Sequence, residues 1–276
     1  MNRRLEYLGE MGLAPLWRLR AREVAPAASP LSVASVAEAG RAARVAAPGA
    51  SPAHVVTREA TPEPAAAGVA EERVARIARL TLEELRAEVK SCSACGLCKS
   101  RTQTVFGVGD ESADWLIVGE APGAEEDARG EPFVGQAGKL LDNMLAAIDL
   151  VRGKNVYIAN VLKCRPPGNR NPEAGEVAQC GPLLARQIQL MQPRLILAMG
   201  RFAAQALLNS DASIASMRGK LYRYQGVPTI VTYHPAYLLR SLPEKAKAWE
   251  DLCFARATST TWKASEPGKR ESPLPP

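Results

Sequence analysis

Short apolar runs alternate with amphipathic segments through the second half of the chain. Four runs have the length and apolar character of buried parallel strands, over residues 114–118, 156–160, 195–199 and 229–232. Helical patterns cover residues 137–148 and 202–208 and resume at Glu244, and a hairpin is expected around residues 222–226. This alternation predicts an α/β fold, a three-layer α/β/α sandwich with a mostly parallel four-stranded central sheet.

Two local signals predict helix N-termini. Thr81 and Glu84 match a capping box, in which each residue bonds the backbone of the other, and the helix is expected to run to about Val89. Further along, Asn171 followed by Pro172 predicts an N-cap and a first helical position, because Pro lacks only an N–H that has no partner there.

The N-terminal quarter differs in composition from the rest. Residues 26–75 are rich in Ala, Pro, Val, Ser and Glu without a sustained period, so they cannot bury enough surface to offset chain entropy. We predict a disordered linker there, in which His54 has no ligand role. The linker separates a short amphipathic segment, residues 1–25, from a globular domain over residues 76–260, and residues 261–276 are predicted to be a disordered tail.

Charge and hydropathy limit the classes of function. The net charge of +6 fits a nucleic-acid partner, although many soluble proteins are mildly basic. No apolar run reaches 18 residues, and no apolar stretch follows Arg3 and Arg4, so neither a membrane span nor a signal peptide is expected. We therefore expect a cytoplasmic protein whose cysteines are reduced, where clustered cysteines bind metal more often than they form disulfides.

Five of the six cysteines have a spacing typical of metal sites: Cys92, Cys95, Cys98, Cys164 and Cys180. A CxxC knuckle with two distant cysteines closes either a zinc site or a [4Fe–4S] cluster, and the alternative is a set of buried apolar thiols. Spacing alone chooses neither the metal nor which four of the five thiols bind it. Cys253 is isolated and is predicted to be a packing residue.

Candidate chemistry lies directly after three of the predicted strands. Residues 119–123 follow the first strand, Asn160 ends the second, and His234 follows the last. Because ligands bind at the carboxyl ends of parallel strands, we expect these residues to meet in one site.

Three sequence blocks resemble the motifs of the family 4 uracil-DNA glycosylases. They occur in the family's order between about residues 91 and 251, and they are Gly119–Gly123 with Glu125–Asp127 and Gly130–Gly138, then Asn160–Pro167, then His234–Arg240. The resemblance implies a DNA repair enzyme that flips uracil out of DNA and hydrolyses its N-glycosidic bond, leaving an abasic site. The partner that it implies is uracil-containing DNA, either single- or double-stranded. The expected protein is a monomer in the bacterial cytosol that associates with the nucleoid.

The resemblance also implies a role for each motif side chain. Phe133 matches the aromatic residue on which the flipped base stacks, and Asn160 matches the residue that reads it. A carboxamide offers an acceptor to uracil N3–H and a donor to O4, and cytosine presents the reverse pattern. His234 matches the histidine that donates to the charge developing on uracil O2, for which a neutral imidazole suffices.

The group that orients the attacking water stays open. Ala121 stands where related glycosylases have an aspartate, so backbone groups of the loop, with Ala121 and Gly123 beside the substrate, are expected to position the water. Glu120 or Glu126 would assist, and either glutamate could instead be structural.

By the same resemblance, a [4Fe–4S] cluster is implied on Cys92, Cys95, Cys164 and Cys180, with Cys98 as a departure at a variable position. The cluster's implied role is to hold a DNA-facing loop. A covalently trapping relative carries a histidine in the loop between the last two cysteines, and this chain has none there, which favours hydrolytic turnover.

Two rival functions and one partner complete the sequence-based interpretation. A catalytically inactive nucleic-acid-binding module of the same fold is the main alternative. A zinc phosphoesterase is disfavoured, because this chain lacks the paired Asp and His ligands that such an enzyme needs. Residues 3–20 resemble the N-terminal peptide of the psi subunit of the bacterial replicative polymerase. A small apolar stripe with Trp17 among arginines predicts a docking peptide for the replication machinery.

Overall fold

A computed structural model of the chain describes the backbone of residues 64–265 and the side chains of residues 71–260. The predicted docking peptide at residues 3–20, His54 and the end of the predicted tail lie outside the described residues. Within the described part, no helix is both long and apolar enough to span a membrane.

Six strands form one sheet, and their bounds are β1 Val108–Gly109, β2 Trp115–Gly119, β3 Val156–Asn160, β4 Leu195–Met199, β5 Leu221–Tyr224 and β6 Val227–Thr232. Their order across the sheet is β1-β3-β2-β4-β6-β5. The four central strands are parallel, whereas β1 and β5 pair antiparallel at the two edges. The predicted α/β fold with a mostly parallel sheet is confirmed. The predicted count of four strands is wrong, because it includes only the parallel strands.

Nine helices belong to the described residues: α1 Pro64–Ile77, α2 Leu82–Ser91, α3 Ala124–Arg129, α4 Gln136–Ala147, α5 Ala174–Met191, α6 Arg201–Leu208, α7 Ile214–Met217, α8 Pro235–Leu238 and α9 Glu244–Ser265. Short 3-10 turns cover Gly96–Lys99 and Pro167–Asn169.

The sheet is buried on both faces, which explains the continuous apolar runs in the sequence. Successive side chains of a strand point to opposite faces, so Leu116 and Val118 join one core while Trp115 and Ile117 join the other. The first core includes side chains of α2, α5 and α6, and the second includes side chains of α4, α8 and α9. These two cores make the three layers.

The helix boundaries differ from the predicted ones in three places. Helix α1 begins at Pro64, inside the range expected to be linker, and α9 continues to Ser265, beyond the expected domain end. The N-cap of α5 is Glu173 rather than Asn171. The Glu173 N–H donates to Glu176 at 2.9 Å, and Arg170 holds the Glu176 carboxylate at 2.6 and 2.9 Å, so the helix starts later. The Thr81 capping box of α2 forms as predicted.

Candidate active site and cysteine cluster

The carboxyl ends of the four parallel strands meet along one edge of the sheet. Gly119 at the end of β2 pairs in register with Asn160 at the end of β3, and Gly200 and His234 follow β4 and β6. A cavity of about 800 Å³ opens at this edge. Seven residues singled out from the sequence line it: Glu120, Ala121, Gly123, Glu126, Phe133, Asn160 and His234.

Asn160 presents an unused acceptor to the cavity. The residue is 2% exposed, and its Oδ1 atom has no hydrogen-bond partner among the described residues. A buried acceptor without a partner costs free energy, so its presence in a cavity wall indicates a ligand that donates to it.

Position 119 requires glycine because the side chains of Asn160 and Phe133 lie directly against it. A Cβ atom at this position would collide with Asn160 Oδ1 and would lie 2.7 Å from two ring atoms of Phe133. The requirement for glycine here was missed in the sequence, because only the fold brings these two side chains to the strand end.

Phe133 and His234 form the aromatic part of the cavity. Their ring centroids lie 5.3 Å apart with an interplanar angle of 28°. Phe133 has a φ of 55°, a left-handed conformation that bulky residues rarely adopt. An aromatic face is thus offered to the cavity from a strained backbone position.

His234 is held as a neutral hydrogen-bond donor. It caps α8, and its Nδ1 atom accepts from the Ala236 N–H at 3.1 Å, which leaves the proton of a neutral imidazole on Nε2. Burial lowers the pKa of His234 to about 4; the positive charge of Arg240 acts in the same direction and Glu126 opposes it. Neutral pH therefore leaves this imidazole uncharged.

The two glutamates of the first motif have different environments. Glu126 accepts three backbone N–H groups, from Gly123 at 3.0 Å, Val134 at 3.0 Å and Gly135 at 3.2 Å. These bonds join the loop after β2 to the loop that carries Phe133, which is a structural task. Glu120 lines the cavity, and burial raises its pKa to about 7, with Arg201 opposing the shift.

A second, smaller cavity brings together five cysteines: Cys92, Cys95, Cys98, Cys164 and Cys180. Cys253 does not line it. The knuckle lies between α2 and the 3-10 turn, Cys164 follows β3, and Cys180 lies within α5. Among the described residues, no group of three His, Cys, Asp or Glu side chains has the geometry of a single-ion site. A [4Fe–4S] cluster spaces its thiolates further apart than one zinc ion does, because four irons lie between them.

Cations surround this cavity, as an anionic iron–sulfur cluster requires. Arg101 Nη1 lies 3.1 Å from Cys164 Sγ, and Arg73 Nη2 lies 3.8 Å from Cys92 Sγ. N–H groups directed at cluster sulfurs are among the protein's means of stabilising a cluster. Burial raises the pKa of the Cys180 thiol to about 11, so a positively charged partner such as a metal centre is needed to favour its thiolate at neutral pH. The donor set and its surroundings therefore fit the cluster.

Lys163 lies between the two sites, and sequence analysis did not single it out. Its side chain is 1% exposed, and Nζ donates to the carbonyl oxygens of Asn160 at 2.9 Å and Phe106 at 3.3 Å. Burial lowers the pKa of Lys163 to about 7, against the effect of Cys180 and Cys164. Its position inside the second motif, next to a cysteine, was the one available signal.

Comparisons with known proteins agree with this geometry. Residues 106–253, more than half of the chain, match the model of the uracil DNA glycosylase superfamily. The chain is 48% identical over 167 residues to the type-4 uracil-DNA glycosylase of Archaeoglobus fulgidus, which covers 58% of this chain and 83% of that protein. It is 41% identical over 183 residues to the type-4 enzyme of Pyrobaculum aerophilum, covering 63% of this chain and 93% of the relative. It is 42% identical over 162 residues to the type-4 uracil-DNA glycosylase of Thermotoga maritima, and this alignment covers 58% of this chain and 84% of the relative.

This is an α/β protein whose mostly parallel sheet has an unpaired amide acceptor, an aromatic ring and a neutral histidine at its carboxyl edge. By these matches, the chain belongs to the uracil-DNA glycosylase superfamily and, within it, to the type-4 family.

Proposed function

We propose that this protein excises uracil from DNA by hydrolysing the N-glycosidic bond, leaving an abasic site, with the residues of the 800 Å³ cavity as its active site. The observation that carries the proposal is the buried, unpartnered Oδ1 of Asn160 in the same cavity as Phe133 and His234. A nucleic-acid-binding module without chemistry has no use for all three groups together.

The cavity suits a base taken out of the helical stack. An enzyme cannot reach the glycosidic bond of a stacked base, so the base must enter a pocket of its own. In this proposal uracil stacks on Phe133, and Asn160 Oδ1 accepts its N3–H while the amide nitrogen donates to O4. Cytosine presents an acceptor where uracil presents N3–H, so it would leave Asn160 Oδ1 unpaired at a cost.

Bond cleavage places negative charge on the leaving base. The C1′–N1 bond breaks with its electron pair on uracil, and the charge spreads to O2. His234 donates from Nε2 to this oxygen, and a donor that is already in place costs no reorganisation during the reaction. The imidazole need not be charged for this task.

We assign the activation of the attacking water to the carboxyl group of Glu120 rather than to that of Glu126. Both residues line the cavity, but Glu126 accepts three backbone N–H groups that hold two loops together, whereas burial raises the pKa of Glu120 to about 7. Near neutral pH its carboxylate can take the proton that the water loses as the water oxygen bonds to C1′. Backbone groups of Ala121 and Gly123 border the same space.

The cysteine cavity is proposed to hold a [4Fe–4S] cluster on Cys92, Cys95, Cys164 and Cys180. When bound, the cluster would supply a structural crosslink between the segment after α2, the end of β3 and α5. The loop that joins Cys164 to α5, the helix that carries Cys180, contributes Pro166, Asn169 and Arg170 to the wall of the active-site cavity. Fixing this loop is therefore a means of shaping the DNA-facing wall.

The test is uracil release by the anaerobically purified full chain. Single-stranded oligonucleotides with one uracil, cytosine or thymine at the same position are incubated with the protein and then cleaved at abasic sites with alkali. We expect cleavage only at uracil, and we expect His234→Ala to slow single turnovers by about 10²- to 10³-fold, as for the loss of one oxyanion donor. A wild-type protein that binds these strands without cleaving them would establish the inactive binding module instead.

The cluster has its own measurement on the same preparation. About four irons per chain and the visible absorbance of an iron–sulfur cluster are expected, with a loss of both in Cys92→Ser and no loss in Cys253→Ser. Zinc in place of iron would contradict the assignment.

Residues 3–20 are proposed to recruit the enzyme to replication machinery, through a linker that joins them to the catalytic domain. The apolar stripe with Trp17 among arginines supports this. Deleting residues 1–25 should leave excision on naked oligonucleotides unchanged while abolishing capture of clamp-loader subunits. Loss of excision, or continued capture, would contradict the docking role.

A further inference from the structure

The backbone around Phe133 is held from two sides. A bulky residue with positive φ persists only where its surroundings hold it, and Phe133 has a φ of 55°. The direction of its ring, and so the plane offered to a base, depends on what fixes the peptide groups at residues 132–135.

Arg152 fixes the carbonyl groups. Its Nη1 donates to Pro132 O at 3.0 Å and its Nη2 donates to Phe133 O at 2.9 Å. Its Nε donates to Asp142 Oδ1 on α4 at 2.8 Å, so the guanidinium is itself held in place. The planar fork of arginine matches two neighbouring oxygens, a geometry that the single ammonium of lysine does not reproduce.

Glu126 and Gly138 fix the same segment from other directions. The Glu126 carboxylate accepts the N–H groups of Val134 and Gly135, which are the next two residues. Helix α4 packs so closely on the Phe133 carbonyl that a Cβ atom at Gly138 would collide with it. Three consecutive peptide groups between Pro132 and Gly135 are thus held: the first by Arg152, the last by Glu126, and the one between Phe133 and Val134 by both.

We propose that Arg152 is a positioning residue for uracil excision. By donating hydrogen bonds to the Pro132 and Phe133 carbonyls, Arg152 holds Phe133 in the left-handed conformation and sets the orientation of the ring on which the flipped base stacks. Arg152 does not line the active-site cavity, so it acts through Phe133 and not on the substrate. The inference rests on the proposed stacking role of Phe133.

A double-mutant cycle separates this role from a general loss of stability. Arg152→Gln should slow single-turnover uracil release by about 10- to 100-fold, because a small misplacement of an active-site group is costly. Arg152→Lys should recover only part of the loss. In a Phe133→Ala background, where no ring remains to be placed, Arg152→Gln should change the rate by less than about twofold. An equal fold loss in both backgrounds would overturn the proposal.

Hydrogen exchange gives a readout that does not depend on activity. In Arg152→Gln, the amides of residues 133–135 should exchange faster, while those of β2 and β3 keep their protection. Unchanged exchange at residues 133–135 would also overturn the proposal. If the wild-type chain releases no uracil, the proposed function fails, and exchange alone still decides whether Arg152 positions Phe133.

Arg194→Gln is the matched control. The Arg194 side chain is 23% exposed, against 25% for Arg152, and it pairs with Asp114 at 3.3 Å outside the active-site cavity. This variant should alter neither the rate of uracil release nor exchange at residues 133–135. If it slows release as much as Arg152→Gln does, the loss reflects a general effect of removing a surface ion pair, and the positioning role is refuted.

Discussion

The buried Nζ atom of Lys163 donates to the backbone carbonyl of Asn160 at 2.9 Å. Asn160 ends β3 with its side chain in the active-site cavity, and Cys164 follows Lys163 directly in the cysteine cavity. One lysine thus connects the residue proposed to read the base with a proposed cluster ligand. The connection has a consequence for both stability and catalysis.

Replacing Lys163 with Met should weaken the fold and slow uracil excision. The change removes one hydrogen bond from each of the carbonyls of Asn160 and Phe106, of which Phe106 O keeps the bond from Gln187 Nε2 at 3.0 Å, and each lost bond costs about 0.5–1.5 kcal/mol. Thermal unfolding and single-turnover uracil release measure the two effects. Lys154→Met, at an exposed position, is the control and should change neither; an unaltered Lys163→Met variant would show that the two bonds are dispensable.

Replacing Gly119 with Ala should abolish most of the activity. The added methyl group collides with Asn160 Oδ1 and crowds the Phe133 ring, so both groups that are proposed to hold the base must move. We expect a loss of about 10²-fold or more in the rate of uracil release, since misplacement of about 1 Å is enough for that.

Gly175→Ala is the control for this substitution. Gly175 is exposed in the first turn of α5 and has no neighbouring atom within 4 Å of a Cβ, so alanine should fit without strain and leave stability and activity unchanged. Full activity in Gly119→Ala would mean that the base does not occupy the space between Asn160 and Phe133.

Replacing Asn160 with Asp should relax the choice of base. A protonated or rotated carboxyl group can accept from the N4 amino group of cytosine, which the carboxamide does not do in its uracil-reading orientation. Uracil release should fall, and some cytosine release should appear, in matched oligonucleotides. Asn143→Asp, on α4 outside the cavity, should keep the wild-type preference. A ratio of uracil to cytosine release that is unchanged in Asn160→Asp would remove this residue from base reading.

Uracil excision should lose rate as the pH falls below about 7. The reactive form of Glu120 is the carboxylate, and burial raises its pKa to about 7, so protonation removes the proposed base in that range. The titration of His234 does not affect the pH dependence of the rate above pH 5, since its pKa is about 4. In Glu120→Gln the rate should be low and flat between pH 5 and 8, measured in single turnovers.

The same residue makes a stability prediction with a defined sign. Because the pKa of Glu120 is higher in the folded chain than in the unfolded chain, the folded state holds more protons between about pH 4.5 and 7. The stabilisation is present below this range and is lost as the pH rises through it. Glu120→Gln should therefore melt at a higher temperature than the wild type at pH 8, and an equal or lower melting temperature would contradict the burial of that charge.

Much of the architecture follows from local patterns. Strands β2, β3 and β4 are nearly continuous apolar runs because both faces of the sheet are covered there, and each of these runs predicts a strand without reference to the rest of the chain. Strand β1 has only two residues and no pattern of its own; it exists because it pairs with β3. Asn171 is a residue type that is common at N-caps, but because Arg170 pairs with Glu176, the N-cap of α5 is Glu173.

The sequence by itself determined the family, the order of the motifs, and the residue types that could read and cleave a base. Only the tertiary structure shows how the environments of these residues differ. Glu120 and Glu126 are both candidates in the sequence for assisting the water, yet burial raises the pKa of Glu120 in the cavity, whereas Glu126 accepts three backbone N–H groups. Arg152 carries no motif, and it matters only because the fold places it against the Phe133 carbonyl, 19 residues away. Periodicity records which faces are buried, whereas hydrogen-bond partners depend on distances that exist only after the chain has folded.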